Sequence, residues 1–143
     1  TVEFSAQMCY NFIMAKFNEV MERGRAKMLS PVVLAFVGDA AYSLYVREGL
    51  VISSDYKTGE LQKRSAARVS AKGQAELYSK IEAKLSEEER EIFLRGRNAK
   101  KPTKSKSATV AEYNISTGFE AVIGFLYLAG DYDRIDELLA DEL

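Results

Sequence analysis

Hydrophobic positions recur along this chain at helical spacing almost throughout, and strand-like alternation is scarce. Phe4, Met8, Phe12 with Ile13, Phe17, Val20 and Met21 predict an amphipathic helix over roughly 4–24. Ser30 followed by Pro31 is an N-cap with proline at the first helical position, opening a long apolar helix over 31–48 with Gly49 as its C-cap. Residues 51–59 read as a loop, from which Thr58 caps a helix over about 59–68. Ser70 is the next N-cap, for a helix running to about Leu85. Ser86 and Glu89 have capping-box spacing and start a short helix ending near Gly96. The stretch 97–108, with Pro102 and small polar residues, reads as a loop. A second strongly apolar helix follows over 110–129, closed by Gly130, and a last amphipathic one covers 133–142. The predicted fold class is all-α: two apolar core helices, 31–48 and 110–129, wrapped by amphipathic helices, with no internal repeat.

Each apolar helix contains an isolated acid. In LAFVGDAAYSLYV (34–46) the only charge is Asp39, and in TGFEAVIGFLYLAG (117–130) the only charge is Glu120. Burying a lone carboxylate is costly unless a partner compensates it. Gly38 beside Asp39, and Gly124 one turn beyond Glu120, would let the two backbones approach and bring both acids into one pocket. Like charges in a low dielectric repel unless one is protonated or a cation lies between them. A hard divalent cation with oxygen ligands is the economical answer, and Mg²⁺ would keep several waters as its other ligands. The alternative is that such an acid caps a helix or accepts hydrogen bonds from Tyr42, Tyr45 or Tyr127; the residues alone leave both open.

Composition narrows the chemistry. The 143 residues suit a single domain. The absence of His excludes imidazole base catalysis, Ser-His-Asp triads and His-ligated zinc. One cysteine, Cys9, excludes an internal disulfide framework and fits a reducing cytoplasm. The longest apolar run is too short and interrupted to span a membrane, and the opening TVEFSAQMCYNFIMAKF lacks a secretory pattern. The net charge of −1 hides a segregation. RGRNAKKPTKSK (95–106) carries Arg95, Arg97, Lys100, Lys101, Lys104 and Lys106 with no acid, and 57–72 adds Lys63, Arg64, Arg68 and Lys72 among its bases against one Glu. Acid collects at 86–91 and 131–143. Such a surface can bind polyanions despite a neutral balance, although charge runs are also ordinary solvated faces. Phe36, Tyr42, Phe119, Phe125 and Tyr127 sit at helical spacing among Leu and Val and are assigned to packing. The apolarity of 32–46 exceeds what one small domain buries, which suggests a subunit interface.

LAFVGDAAYSLYVR resembles the signature helix of the ribonuclease III family, in which Leu-Glu-Phe-Leu-Gly-Asp supplies metal-binding acids, and Asp39 falls on its Asp. STGFEAVIGFLYLAG resembles the family's second acidic helix, and Glu120 falls on its Glu. Ala35 stands where the larger enzymes have Glu, and Thr117 where they have the first Asp of the second helix. Both departures are similar to the short Mini-ribonuclease III branch, which lacks a double-stranded-RNA-binding domain; LQKRSAARVSAKGQA (61–75) and RGRNAK (95–100) also resemble that branch. Thr109 stands where that branch often has Asp, and the role of Glu112, one turn on, stays open. The likeness covers about 29–143, leaving the helix of 1–28 outside it.

The resemblance implies a homodimeric, Mg²⁺-dependent endoribonuclease of α-helical fold (Mn²⁺ being the alternative ion), cutting double-stranded RNA, with precursor ribosomal RNA as the expected substrate. Asp39 and Glu120 would hold the metal and carry catalysis. Arg95, Arg97, Lys100, Lys101, Lys104 and Lys106 would contact phosphates, Asn98 a sugar hydroxyl, and Lys63, Arg64, Arg68 and Lys72 would form a second RNA stripe. Two rivals remain: a non-catalytic RNA-binding domain of the same fold in a ribonucleoprotein, and a helical protein-interaction module. The module leaves the isolated acids and the basic loop unexplained.

Overall fold

The computed structural model describes residues 16–101 and 108–142. It contains α1 (Arg23–Lys27), α2 (Pro31–Ser53), α3 (Thr58–Val69), α4 (Ala71–Ile81), α5 (Glu87–Asn98), α6 (Val110–Leu128) and α7 (Tyr132–Leu139), with 3₁₀ turns at Glu82–Lys84 and Ala140–Glu142. No strand occurs among the described residues, as the periodicity predicts.

The caps explain the boundaries. Ser30 Oγ accepts from Val32 N at 3.3 Å and Ser70 Oγ from Gly73 N at 3.0 Å. Ser86 and Glu89 form the expected capping box, each side chain accepting from the other's backbone N–H. Helix α6 ends in a Schellman motif: Gly130 has φ +74°, Gly130 N donates to Tyr127 O, and Asp131 N donates to Leu126 O.

Three expectations are corrected. Residues 16–22 are not helical; Asn18 has a φ of 62°, and Glu22 is the N-cap of the five-residue α1. The rest of the predicted 4–24 helix lies largely outside the described residues. Helix α2 continues through Gly49 to Ser53, because Leu50 is buried in the core and Ser53 and Ser54 hydroxyls take the Gly49 and Leu50 carbonyls at 2.6 Å each. Thr58 lies inside α3 and makes no cap bond, since Lys57 is the N-cap residue.

Helix α6 is the centre of the protein, packed by α2, α5, α4, α7 and α1. Its segment from Ser116 to Leu126 is buried except for Glu120. Helix α2 is different: Leu34, Ala35, Gly38, Tyr42, Val46 and Leu50 face inward, while Val33, Phe36, Leu44 and Val51 are exposed at 47%, 81%, 44% and 62%. Of the aromatics assigned to packing, Tyr42, Phe119 and Phe125 are in the core, Tyr127 is half-buried and Phe36 is outside it.

The crossing of α2 and α6 is a glycine contact. A Cβ on Gly38 would lie 1.7 Å from the Glu120 carbonyl oxygen, and one on Gly124 1.9 Å from that of Leu34. Close approach here sets the two acid-bearing helix faces side by side. On the far side of the core, buried Glu89 receives two bonds from Arg134 at 2.9 Å, joining α5 to α7.

Candidate active site

Helical spacing places Val32, Ala35, Phe36 and Asp39 on one face of α2, and Tyr113, Thr117 and Glu120 on one face of α6. Together with Lys101 these residues line a single cavity of about 310 Å³. Asp39 and Glu120 therefore share it, as the glycine pairing predicts, but their surroundings differ. Asp39 is exposed, which corrects its expected burial. It sits at the border between the inward face of α2 and an outward apolar stripe, so an apolar neighbourhood in sequence is not a buried one in space. Glu120 is half-buried. Burial first, and the nearby Asp39 charge second, push its carboxyl up to about 8, while Gln74 favours the charged form.

Among the described residues no Lys or Arg forms an ion pair with either acid. The Tyr127 hydroxyl is taken by Asn18, and Tyr42 packs edge-on against Phe119 with ring centroids 5.0 Å apart. No group of three or more His, Cys, Asp or Glu side chains forms a metal cluster among the described residues. Two uncompensated carboxylates in one cavity nevertheless fit a hard cation that completes its shell with water.

The basic residues separate into groups. Arg97, Asn98 and Lys100 are exposed at the end of α5, with Arg97 Nε donating to Asn98 Oδ1 at 3.1 Å. Lys101 follows at the cavity wall; burial lowers its pKa, and its ammonium donates to the carbonyls of Arg97 and Ala99 at 3.0 and 2.8 Å. Lys104 and Lys106 lie outside the described residues. Arg95 is half-buried and donates to the Lys27 and Leu29 carbonyls at 3.0 and 3.1 Å. It closes the end of α1 against α5, a structural task that occupies its guanidinium.

The second stripe is divided as well. Arg64 and Arg68 line another cavity of about 460 Å³ beside the C-terminal half of α2, where Arg64 pairs with Glu60 and stands over the Tyr56 ring. Lys63 is exposed on the same helix. Lys72, on α4, instead lies near Glu112 at the start of α6.

The structure accounts for Glu112. Its carboxylate accepts from Thr109 N at 3.0 Å while Thr109 Oγ1 accepts from Glu112 N at 3.1 Å, a capping box that sequence inspection missed although the Thr-x-x-Glu spacing was visible. It does not line the acid cavity, whereas Ala35 and Thr117, the positions that depart from the larger enzymes, both do. Gln74 was also missed. It occupies a core position of α4 in line with Leu77, Tyr78 and Ile81, and a polar residue in that series is the signal.

Comparison with known proteins gives a consistent result. Residues 32–131 match the family model of the ribonuclease III domain. The chain is 45% identical over 121 residues to the Mini-ribonuclease 3 of Thermoanaerobacter sp. (strain X514), covering 85% of both chains. It is 41% identical to the Mini-ribonuclease 3 of Streptococcus pneumoniae, covering 79% of this chain and 90% of that one. A crystal structure of a protein from Fusobacterium nucleatum matches with a TM-score of 0.72 at 36% identity, covering 80% of this chain and 91% of that one.

Proposed function

Because the chain belongs to the ribonuclease III family, in its Mini-ribonuclease III branch, and is therefore an endoribonuclease, we propose that it hydrolyses double-stranded RNA at the cavity between α2 and α6. The observation that carries this reading is the pair of carboxylates, one from each crossing helix, lining one cavity without an ion-pair partner among the described residues. They would hold a divalent cation, Mg²⁺ or alternatively Mn²⁺. When bound, such an ion supplies an activated water and offsets charge on the leaving 3′-oxygen.

The protein's own groups supply the rest. Asp39, exposed, would be the ligand on the open side of the cavity, and Glu120, half-buried, would be the deeper one, binding as its carboxylate. Ala35 and Thr117 line the cavity without adding a carboxylate, so water would supply the remaining ligands. Arg97 and Asn98, the last residues of α5, and Lys100, Lys104 and Lys106, which lie in sequence between α5 and the acid-bearing α6, are suited to hold the sugar-phosphate backbone. Lys101 brings positive charge to the cavity itself. Lys72, Lys63, Arg64 and Arg68 would add phosphate contacts further out, and Arg95 is left to its structural task. Backbone contacts of this kind read A-form shape rather than base sequence, which suits a structured precursor ribosomal RNA. The lone cysteine is compatible with work in the cytoplasm; among the described residues no helix is long and apolar enough to cross a membrane.

The test is incubation with a perfect RNA duplex. Cleavage with Mg²⁺ and none with EDTA is expected; cleavage that persists in excess chelator would remove the metal reading.

The outward stripe of α2, Val33, Phe36, Leu44 and Val51, supports a homodimer. An exposed apolar row of this kind on one helix face is self-complementary across a two-fold axis. Val33→Lys combined with Leu44→Lys should convert a dimer into monomers in sedimentation at micromolar concentration. A wild-type protein that sediments as a monomer there would exclude the interface.

A further inference from the structure

Five of the side chains lining the acid cavity are polar, and four have a role already. Asp39 and Glu120 form the carboxylate pair, the Lys101 ammonium holds the carbonyls of Arg97 and Ala99, and Thr117 Oγ1 donates to the Tyr113 carbonyl at 3.0 Å. The fifth is Tyr113. Its backbone is pinned into the first turns of α6: its N–H donates to the Thr109 carbonyl at 3.0 Å, and its carbonyl also takes the Ser116 hydroxyl at 2.7 Å. Its side chain does not serve the fold as other tyrosines do. Tyr42 and Tyr78 are in the core, Tyr45 and Tyr127 pack against it, and Tyr56 lies under the Arg64 guanidinium. Tyr113 is half-buried, yet it belongs neither to the core nor to the side chains packed on it. Among the described residues its ring meets no other ring and no cation, and its hydroxyl makes no hydrogen bond.

We infer that Tyr113 is a substrate-contacting residue: its phenol hydrogen-bonds a ribose 2′-hydroxyl of the strand being cut, at a nucleotide beside the scissile phosphate. The inference rests on the reading of this cavity as the place where RNA is hydrolysed. The position suits it. Tyr113 and Glu120 are two turns apart on one face of α6, roughly 10 Å along the helix at its usual rise. Tyr113 stands toward the end where α6 follows the basic segment, so a strand lying across the acids toward those bases would pass over it. The chemistry suits it too. Phosphate oxygens only accept hydrogen bonds, and charged donors serve them better than a neutral phenol does. A 2′-hydroxyl both gives and receives, as a phenol does, whereas an ammonium only gives and a carboxylate only receives. Asn98, expected to meet a sugar hydroxyl, is not on the cavity wall, and its Oδ1 already accepts from Arg97. On that wall, Tyr113 is the match.

The experiment is a cycle of two changes, one in the protein and one in the RNA. A short RNA duplex is first cut by wild type in saturating Mg²⁺ to map the cut. Duplexes are then made with a single 2′-deoxynucleotide at each position flanking it. For wild type, kcat/KM should fall about 3- to 10-fold at one of these positions, as for the loss of one neutral hydrogen bond. Tyr113→Phe, which removes only the hydroxyl, should lose as much on the all-ribose duplex. The 2′-deoxy change at that position should then cost the variant nothing further, the sign of two groups in contact. Tyr113→Phe should melt with wild type, since its hydroxyl bonds no described residue. Losses that multiply at every position would overturn the inference and leave the phenol to a phosphate. An unchanged kcat/KM for Tyr113→Phe on all-ribose duplex would overturn it as well, and return the ring to packing. A wild type that does not cut duplex RNA would instead sink the cleavage reading, and this inference with it.

Discussion

Asp39→Asn should lower RNA cleavage by orders of magnitude while the protein stays folded and still binds duplex RNA. The substitution keeps the shape and removes one of the two charges proposed to hold the cation, so activation of water and offset of leaving-group charge would be lost together. Because Asp39 is exposed, its removal leaves no hole and no orphaned partner in the core. Glu120→Gln should behave alike in cleavage, and the double variant should be little worse than either single one, as expected of groups acting as a unit. The two differ in their stability against pH, measured in EDTA. A Glu120 carboxyl pushed up to about 8 binds more protons folded than unfolded between its ordinary range, near 4.5, and 8. Stability contributed by the neutral form is therefore fully present below that range and lost as pH rises through 8. Glu120→Gln should flatten this decline. Asp39→Asn should make it smaller and end it at a lower pH, because the second of its causes is gone. A full specific activity in folded Asp39→Asn protein would make both acids structural.

The sequence carried the local signals well. Ser30, Ser70 and the Ser86–Glu89 box all cap helices where their spacing says they should, because each cap is a contact among residues two or three apart. The crossing of α2 and α6 was also legible, since two glycines beside two isolated acids have few other uses. Burial was the weak point. The run from Val32 to Val46 is apolar around most of the helix, but only one side of α2 faces its own core; periodicity cannot distinguish a surface buried within a protomer from one available to a partner. Asp39 and Phe36 were misplaced for this one reason. Long-range pairs were invisible for another. Arg95 reads as one more base in a basic run, yet its guanidinium bonds carbonyls 66 and 68 residues away, and Glu89 meets Arg134 across 45 residues. Nothing in a linear charge pattern marks such a partner.

Glycine substitutions in the two acid-bearing helices should give opposite results according to what lies beside each. Gly38→Ala and Gly124→Ala should destabilise strongly, because each Cβ would fall under 2 Å from a backbone carbonyl of the opposite helix. Overpacking usually costs about 1–3 kcal/mol when side chains can shift; here the obstacle is main chain, so both helices must separate and the loss should reach or exceed the top of that range. Against a total of about 5–15 kcal/mol for a typical domain, such proteins should melt far below wild type or fail to fold. Gly49 is the internal control. It lies within α2, a methyl group added to it would meet no atom within 4 Å, and it has no left-handed φ. Gly49→Ala should therefore stabilise by roughly 0.5–1 kcal/mol through backbone entropy alone. Had Gly49 ended the helix in a left-handed C-cap, as its place in the sequence suggests, the same change would destabilise. Thermal melts of the three variants thus decide at once where α2 ends and whether the α2–α6 contact, on which the meeting of Asp39 and Glu120 depends, is as close as the backbone geometry requires.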